Sequence, residues 1–181
     1  MANNRTSMQP KKLVLMAILT AAALIIFIIE AQIPLPIIIP GAKLGLANTI
    51  TLFALFYPKS PNKKNNLNTV DAGIILFCRI FLGAIFTGRI LTLLLSATGG
   101  LLGFISQVAI RRLVTDKQIW VCGAIGGIFH NIGQILAAMI IMGTSAILMY
   151  LPVLIIIGIF TGALTGFLVQ IVISRVKISL H

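Results

Sequence analysis

Apolar residues in this chain come in runs too long for the core of a soluble domain. Six runs, at about 13–31, 44–57, 70–88, 90–110, 119–142 and 148–174, are separated by short stretches that carry most of the charge. Most of them reach the ~20 residues that a helix needs to cross the hydrocarbon core of a bilayer. The second run is shorter, and its position after a proline-rich stretch predicts that it begins inside the membrane. The pattern predicts an all-α integral membrane protein, with six transmembrane helices in a single domain over residues 1–181.

Composition strengthens that reading. Of 181 residues 59% are hydrophobic and 9% charged, with a mean hydropathy of +1.10. A net charge of +11 would suggest a nucleic-acid partner in a soluble protein. Here the basic residues cluster between apolar runs, which is a topology signal, and no nucleic-acid partner is expected. With the amino terminus in the cytoplasm, the inner side holds eleven basic residues: Arg5, Lys11, Lys12, Lys59, Lys63, Lys64, Arg111, Arg112, Lys117, Arg175 and Lys177. The outer side holds two, Lys43 and Arg89, while Arg79 falls within a span. This bias predicts both termini inside the cell membrane. The first apolar run continues to Ile29 and reads as an uncleaved first span rather than a secretory signal. Cys78 and Cys122 sit inside apolar runs, form no C-x-x-C, and read as small core residues.

The densest chemistry lies between the first two runs, from Glu30 to Asn48. Pro34, Pro36 and Pro40 remove backbone donors and force extended geometry, so the first helix ends before them. The segment stays apolar nonetheless, with Ile33, Leu35, Ile37, Ile38 and Ile39 bracketed by Glu30, Lys43 and Asn48. It reads either as a lid over a cavity or as a loop lying in the membrane interface. Further on, Gly99 and Gly103, Gly123 and Gly127, and Gly158, Gly162 and Gly166 form small-xxx-small repeats, which let membrane helices approach closely.

Polar groups are expensive at mid-membrane. Arg79 lies near the middle of the third run, where a charge costs ~3 kcal/mol on insertion scales, so it is expected to face the bundle interior. His130, Asn131 and Gln134 lie near the middle of the fifth. His130 and Gln134 are expected to share an inward face with Gly123 and Gly127. These side chains are either a polar ligand pocket, with Arg79 suiting an anion, or an internal network that locks the helices. Asp71 precedes Arg79 by eight residues, about 12 Å of helix, and reads as an inner-end residue rather than its partner. Ala17 and Ala21 on the first helix give either ordinary close packing or a smooth face for a partner's helices. No P-loop motif is present, the three acidic residues Glu30, Asp71 and Asp116 are scattered, and no nucleophile has an evident base beside it. Neither catalysis by this chain alone nor a metal or cofactor is expected.

Glu30 followed by Pro34 and by Pro40-Gly41-Ala42-Lys43-Leu44-Gly45-Leu46-Ala47-Asn48 resembles the Gx transporter family, also called the heptaprenyl diphosphate synthase component I family. Arg79 and His130-Asn131-x-x-Gln134 are in keeping with it. That family is similar to the substrate-binding (S) components of energy-coupling factor (ECF) transporters. The resemblance implies a six-helix S-component-like bundle that captures a small molecule from outside beneath the 30–48 segment. It implies docking of Ala17 and Ala21 on a transmembrane coupling subunit, with ATPase subunits supplying energy. Substrate contacts would come from Glu30, Lys43, Asn48, Arg79, His130, Asn131 and Gln134, and the ligand would be isoprenoid, quinone or flavin related. The alternative is a non-catalytic accessory membrane subunit in prenyl diphosphate or quinone synthesis, or in flavin- or quinone-linked electron transfer.

The charge bias yields a direct test of topology. On a background lacking Cys78 and Cys122, a cysteine at Ala42 is expected to be labelled from outside and one at Asn65 from inside. Labelling of both from one side would refute six crossings.

Overall fold

The structure is a computed structural model that describes residues 9–32, 45–58, 66–88 and 90–179. All regular structure among these residues is helical: α1 (Pro10–Glu30), α2 (Asn48–Phe56), α3 (Thr69–Thr87), α4 (Ile90–Ile110), α5 (Ile119–Met142) and α6 (Leu151–Ser179). Short 3-10 turns at Asp116–Gln118 and Ser145–Tyr150 lead into α5 and α6. Five helices, all but α2, are long and apolar enough to cross a membrane. The chain is therefore built as a multi-pass membrane protein. Residues 33–44, which include Lys43 and the three prolines of the 30–48 segment, lie outside the described residues.

Helix ends follow local chemistry. Pro10 opens α1, where its missing N–H costs nothing. At the start of α3 the Asn68 N–H donates to Asp71 Oδ2 at 2.6 Å. Gly88 and Gly143, at φ 62° and 63°, close α3 and α5 in the left-handed conformation that favours glycine. On α1 the buried positions are Met16, Leu19, Ala23, Phe27 and Glu30, a spacing of three and four that marks one helical face. The other face is apolar too, with Leu13, Val14, Ile18, Ile25 and Ile29 exposed. Outward apolar residues of this size suit lipid rather than water.

α1 and α3 run parallel. Lys12 Nζ meets Asp71 Oδ2 at 2.7 Å at one end. Further along, the Phe27 ring fills the space beside Gly83, where an added Cβ would lie 2.6 Å from Phe27 Cε1. Asp71 thus pairs with Lys12 at the end of the bundle where α1 and α3 begin, and not with Arg79. Two parallel helices joined in sequence require the chain to return between them. α2 provides part of that return with nine residues, about 14 Å. It is shorter than the run at 44–57, and its first residue, Asn48, contacts Arg79, ten residues into α3. α2 therefore starts near mid-bundle.

α5 is the hub, packed against α4 on one side and α6 on the other. Toward α6, a Cβ at Gly123 or Gly127 would strike the backbone carbonyl of Gly162 or Gly158. Toward α4, Gly133 abuts the Thr98 carbonyl and Gly103 abuts the Gly126 carbonyl. Gly123 and Gly127 thus meet α6 and Gly126 and Gly133 meet α4, and His130, seven residues and about two turns from Gly123, borders the same interior cavity as Gly123 and Gly127. Two apolar clusters mark opposite ends of the bundle. One holds Leu52, Leu55, Ile75, Ile119 and Ile173, and the other Leu95, Ile135, Ile147 and Leu154. The central polar residues lie between them.

Gly123→Ala is expected to lower the unfolding temperature in detergent by forcing α5 from α6, at a cost of about 1–3 kcal/mol. Gly73→Ala, whose new Cβ would meet only Phe104 at 3.5 Å, should be neutral or slightly stabilising. Equal effects of the two would show that the glycine seam does not set helix spacing.

Candidate functional site

The site is organised around the amino-terminal end of α2. A helix begins with backbone N–H groups that have no partner within the helix. Inside a bundle that excludes water these must be met by protein groups. The first two of α2, Asn48 and Thr49, donate to the Gly45 and Leu46 carbonyls of a tight turn, and Glu30, the last residue of α1, holds that turn: the Gly45 N–H donates to Oε1 at 2.5 Å and the Ala47 N–H to Oε2 at 3.3 Å. Gly45 is required for this approach. Its φ is +80°, and a Cβ there would lie 2.9 Å from Cδ2 of the His130 ring.

Asn48, the first residue of α2, joins two other helices. Arg79 Nη2 on α3 donates to Asn48 Oδ1 at 3.0 Å, and Asn48 Nδ2 lies 2.9 Å from His130 Nδ1 on α5. One turn along α5 the Gln134 amide approaches His130 Nε2 at 3.0 Å. Arg79 can only donate, so it fixes Asn48 with its oxygen toward α3 and its nitrogen toward the ring. His130 Nδ1 is then an acceptor and the ring proton resides on Nε2. The Gly99 backbone is a further hydrogen-bond partner of the ring, and the Gln134 atom beside His130 Nε2 is its amide nitrogen. The result is a series of polar contacts, Arg79 to Asn48 to His130 to Gln134, running across α3, α2 and α5. Glu30, Arg79, His130 and Gln134 are each buried.

Arg79 is only partly satisfied. Its guanidinium stands 5.9 Å from the Phe27 ring centroid, a cation–π geometry. Its Nε has no hydrogen-bond partner among the described residues. Glu30 lies within electrostatic reach of the Arg79 guanidinium, while its oxygens bond the Gly45 and Ala47 N–H groups.

The structure thus brings together Glu30, Asn48, Arg79, His130 and Gln134. Asn131 is directed elsewhere: its Nδ2 donates to the Leu154 carbonyl of α6 at 2.5 Å, a strut between α5 and α6. Lys43 lies outside the described residues. Ala17 and Ala21 are exposed on α1, away from the cluster. Beside His130 a cavity of about 10 Å³ is bordered by Asn48, Thr49, Gln107, Thr161 and Thr165. That is room for about one water molecule. Sequence reading passed over Gln107, Thr161 and Thr165. The available signal was a glutamine inside the fourth run, and threonines interleaved with the glycine repeat of the sixth.

The family model described as heptaprenyl diphosphate synthase component I matches residues 19–172. No curated protein and no solved structure matches the chain.

Asn48 is the joint of the cluster, and Asn48→Leu fills its volume without its polar atoms. The change strands a donor on Arg79 and an acceptor on His130, each at about 1–3 kcal/mol. The expected outcome is a fall of roughly 2–5 kcal/mol in stability, read by thermal unfolding in detergent. Gln134→Leu, which leaves both contacts of Asn48 in place, should cost less. The reverse order would displace Asn48 from the centre of the network.

Proposed function

The chain belongs to the heptaprenyl diphosphate synthase component I family, and from that premise we propose that it is the membrane-embedded substrate-binding component of an ECF-type transporter. It captures a small molecule from the outer side of the cell membrane beneath the 30–48 segment, and a coupling subunit with ATPases supplies the energy. The observation that carries this reading is the buried polar cluster at the mid-bundle end of α2. A helix that starts inside the membrane, with an arginine holding unused donor capacity at its first residue, is the arrangement transporters use to grip polar groups of a substrate. A merely structural tie between helices does not call for a spare guanidinium donor.

Two further features support it. α1 and α3 point the same way, so the chain between them has to cross back, in keeping with six crossings and cytoplasmic termini. Ala17 and Ala21 are exposed four residues apart on α1, on a face small enough for a partner's helices to approach closely. In this reading Asn48, Arg79, His130 and Gln134 contact the substrate, Glu30 and Lys43 belong to the closing segment, and Asn131 secures α5 to α6.

A second reading, a non-catalytic accessory subunit in prenyl diphosphate or quinone synthesis, is favoured by a different feature. A groove of about 330 Å³ between α3 and α4 is lined by Leu76, Phe77, Ile80, Phe81 and Phe104, a surface suited to an apolar chain. The two readings separate by partner.

Ala17→Trp and Ala21→Trp are expected to leave the protein folded and still carrying whatever small molecule co-purifies in mild detergent, as identified by mass spectrometry. Both should abolish co-purification with a coupling subunit. Retention of that complex by both variants would remove the transporter reading's docking face. Co-purification with a prenyl synthase in place of a coupling subunit would favour the second reading.

A further inference from the structure

Glu30 stands at the unfavourable end of its own helix. The carboxy-terminal end of a helix carries partial negative charge, which disfavours a carboxylate. No basic residue occupies the last turn of α1 to offset it. The side chain is nevertheless buried, and its two oxygens take the Gly45 and Ala47 N–H groups of the turn that leads into α2. Two converging N–H groups beside the partly positive end of a helix are suited to any oxyanion.

A second, independent observation points the same way. The Arg79 guanidinium is 3% exposed and binds the first residue of α2 through Nη2, while its Nε has no partner among the described residues. The Glu30 oxygens bond the Gly45 and Ala47 N–H groups, with the Arg79 guanidinium within electrostatic reach. The site therefore offers more donor capacity than its tethered occupant uses.

We propose that Glu30 is a built-in stand-in for an anionic ligand. A free carboxylate or phosphate takes its place on the Gly45 and Ala47 amides and also engages Arg79. Displacement releases the outer end of α1 from α2. α1 also carries Ala17 and Ala21, so occupancy of the site is relayed along one rigid helix to the exposed face. The inference rests on the reading that this cluster is a ligand site, and it assigns the ligand's charge and the residue that competes with it.

The test is anion rescue of purified protein in detergent, read by thermal unfolding against sodium chloride at matched ionic strength. Glu30→Ala should unfold at lower temperature than wild type. Acetate, inorganic phosphate or inorganic diphosphate should restore it saturably, at about ten- to a hundredfold lower concentration than any effect on wild type, since the tethered competitor is gone. Adding Arg79→Gln should abolish the rescue. Rescue by acetate alone assigns a carboxylate ligand, and rescue by the phosphates alone a phosphate ligand. If Glu30→Ala does not fold, Glu30→Gln keeps the side chain's size, removes its charge, and should show the same saturable response. No response beyond chloride in either variant, or a response unaffected by Arg79→Gln, overturns the proposal. Its failure is distinct from failure of the transporter reading. Loss of anion rescue with the coupling-subunit complex intact rejects only the anion, and the converse rejects only the coupling.

Discussion

A turn that starts a helix inside a membrane bundle holds N–H groups with no water to satisfy them, and meeting those of the turn before α2 is the constraint on which the centre of this protein depends. Glu30 accepts from two of them, Gly45 and Ala47, from the end of another helix. The consequences propagate outward. The approach of the chain to Glu30 requires a left-handed residue beside an imidazole, hence Gly45. The first residue of α2 then lies between α3 and α5, where Asn48 can accept from Arg79 and donate to His130 at once. No other uncharged side chain of that length offers both a donor and an acceptor.

The polar chain is tolerated because it is enclosed. Apolar clusters close it at both ends, and the glycine seams of α5 bring α4 and α6 near enough to exclude solvent from its flanks. Membrane helices have no hydrophobic drive toward each other, so close backbone contact has to supply the association. The small residues and the buried polar residues therefore belong to one design: the first permits the approach that keeps the second dry. The large apolar side chains are left for the outer surface, as on α1 and α3, where Phe77 and Phe81 stack outward at 6.3 Å.

Enclosure also shapes function. The interior beside His130 has room for a water molecule rather than a metabolite, so a ligand can enter only by moving something. In the displacement proposed above Glu30 is the group that moves, and it stands on the helix that also exposes Ala17 and Ala21. Nine residues of continuous helix, about 14 Å, separate Glu30 from Ala21. In that proposal the unbroken helix carries a shift at its Glu30 end to the exposed face.

How much of this could be read from the sequence differs from residue to residue. The helices themselves were legible, because length and hydropathy alone decide what can span a bilayer; the runs at 90–110 and 119–142 coincide with α4 and α5. The buried setting of Arg79 was legible too, since a mid-span charge has nowhere else to go. The start of α2 was less so: the run at 44–57 became a helix only from Asn48, because Glu30 holds the turn before it through the Gly45 and Ala47 N–H groups. That Arg79 and His130 share one interior was legible from their depth; only the tertiary structure showed that their link passes through Asn48 on a third helix. Likewise it alone separated Asn131 from its neighbour, through a carbonyl of α6 that no spacing within α5 could reveal. Sequence determined which residues must leave the lipid, a property of each residue and its depth. Which of them meet inside depended on helix rotation and packing, which the glycine seams set between segments distant along the chain.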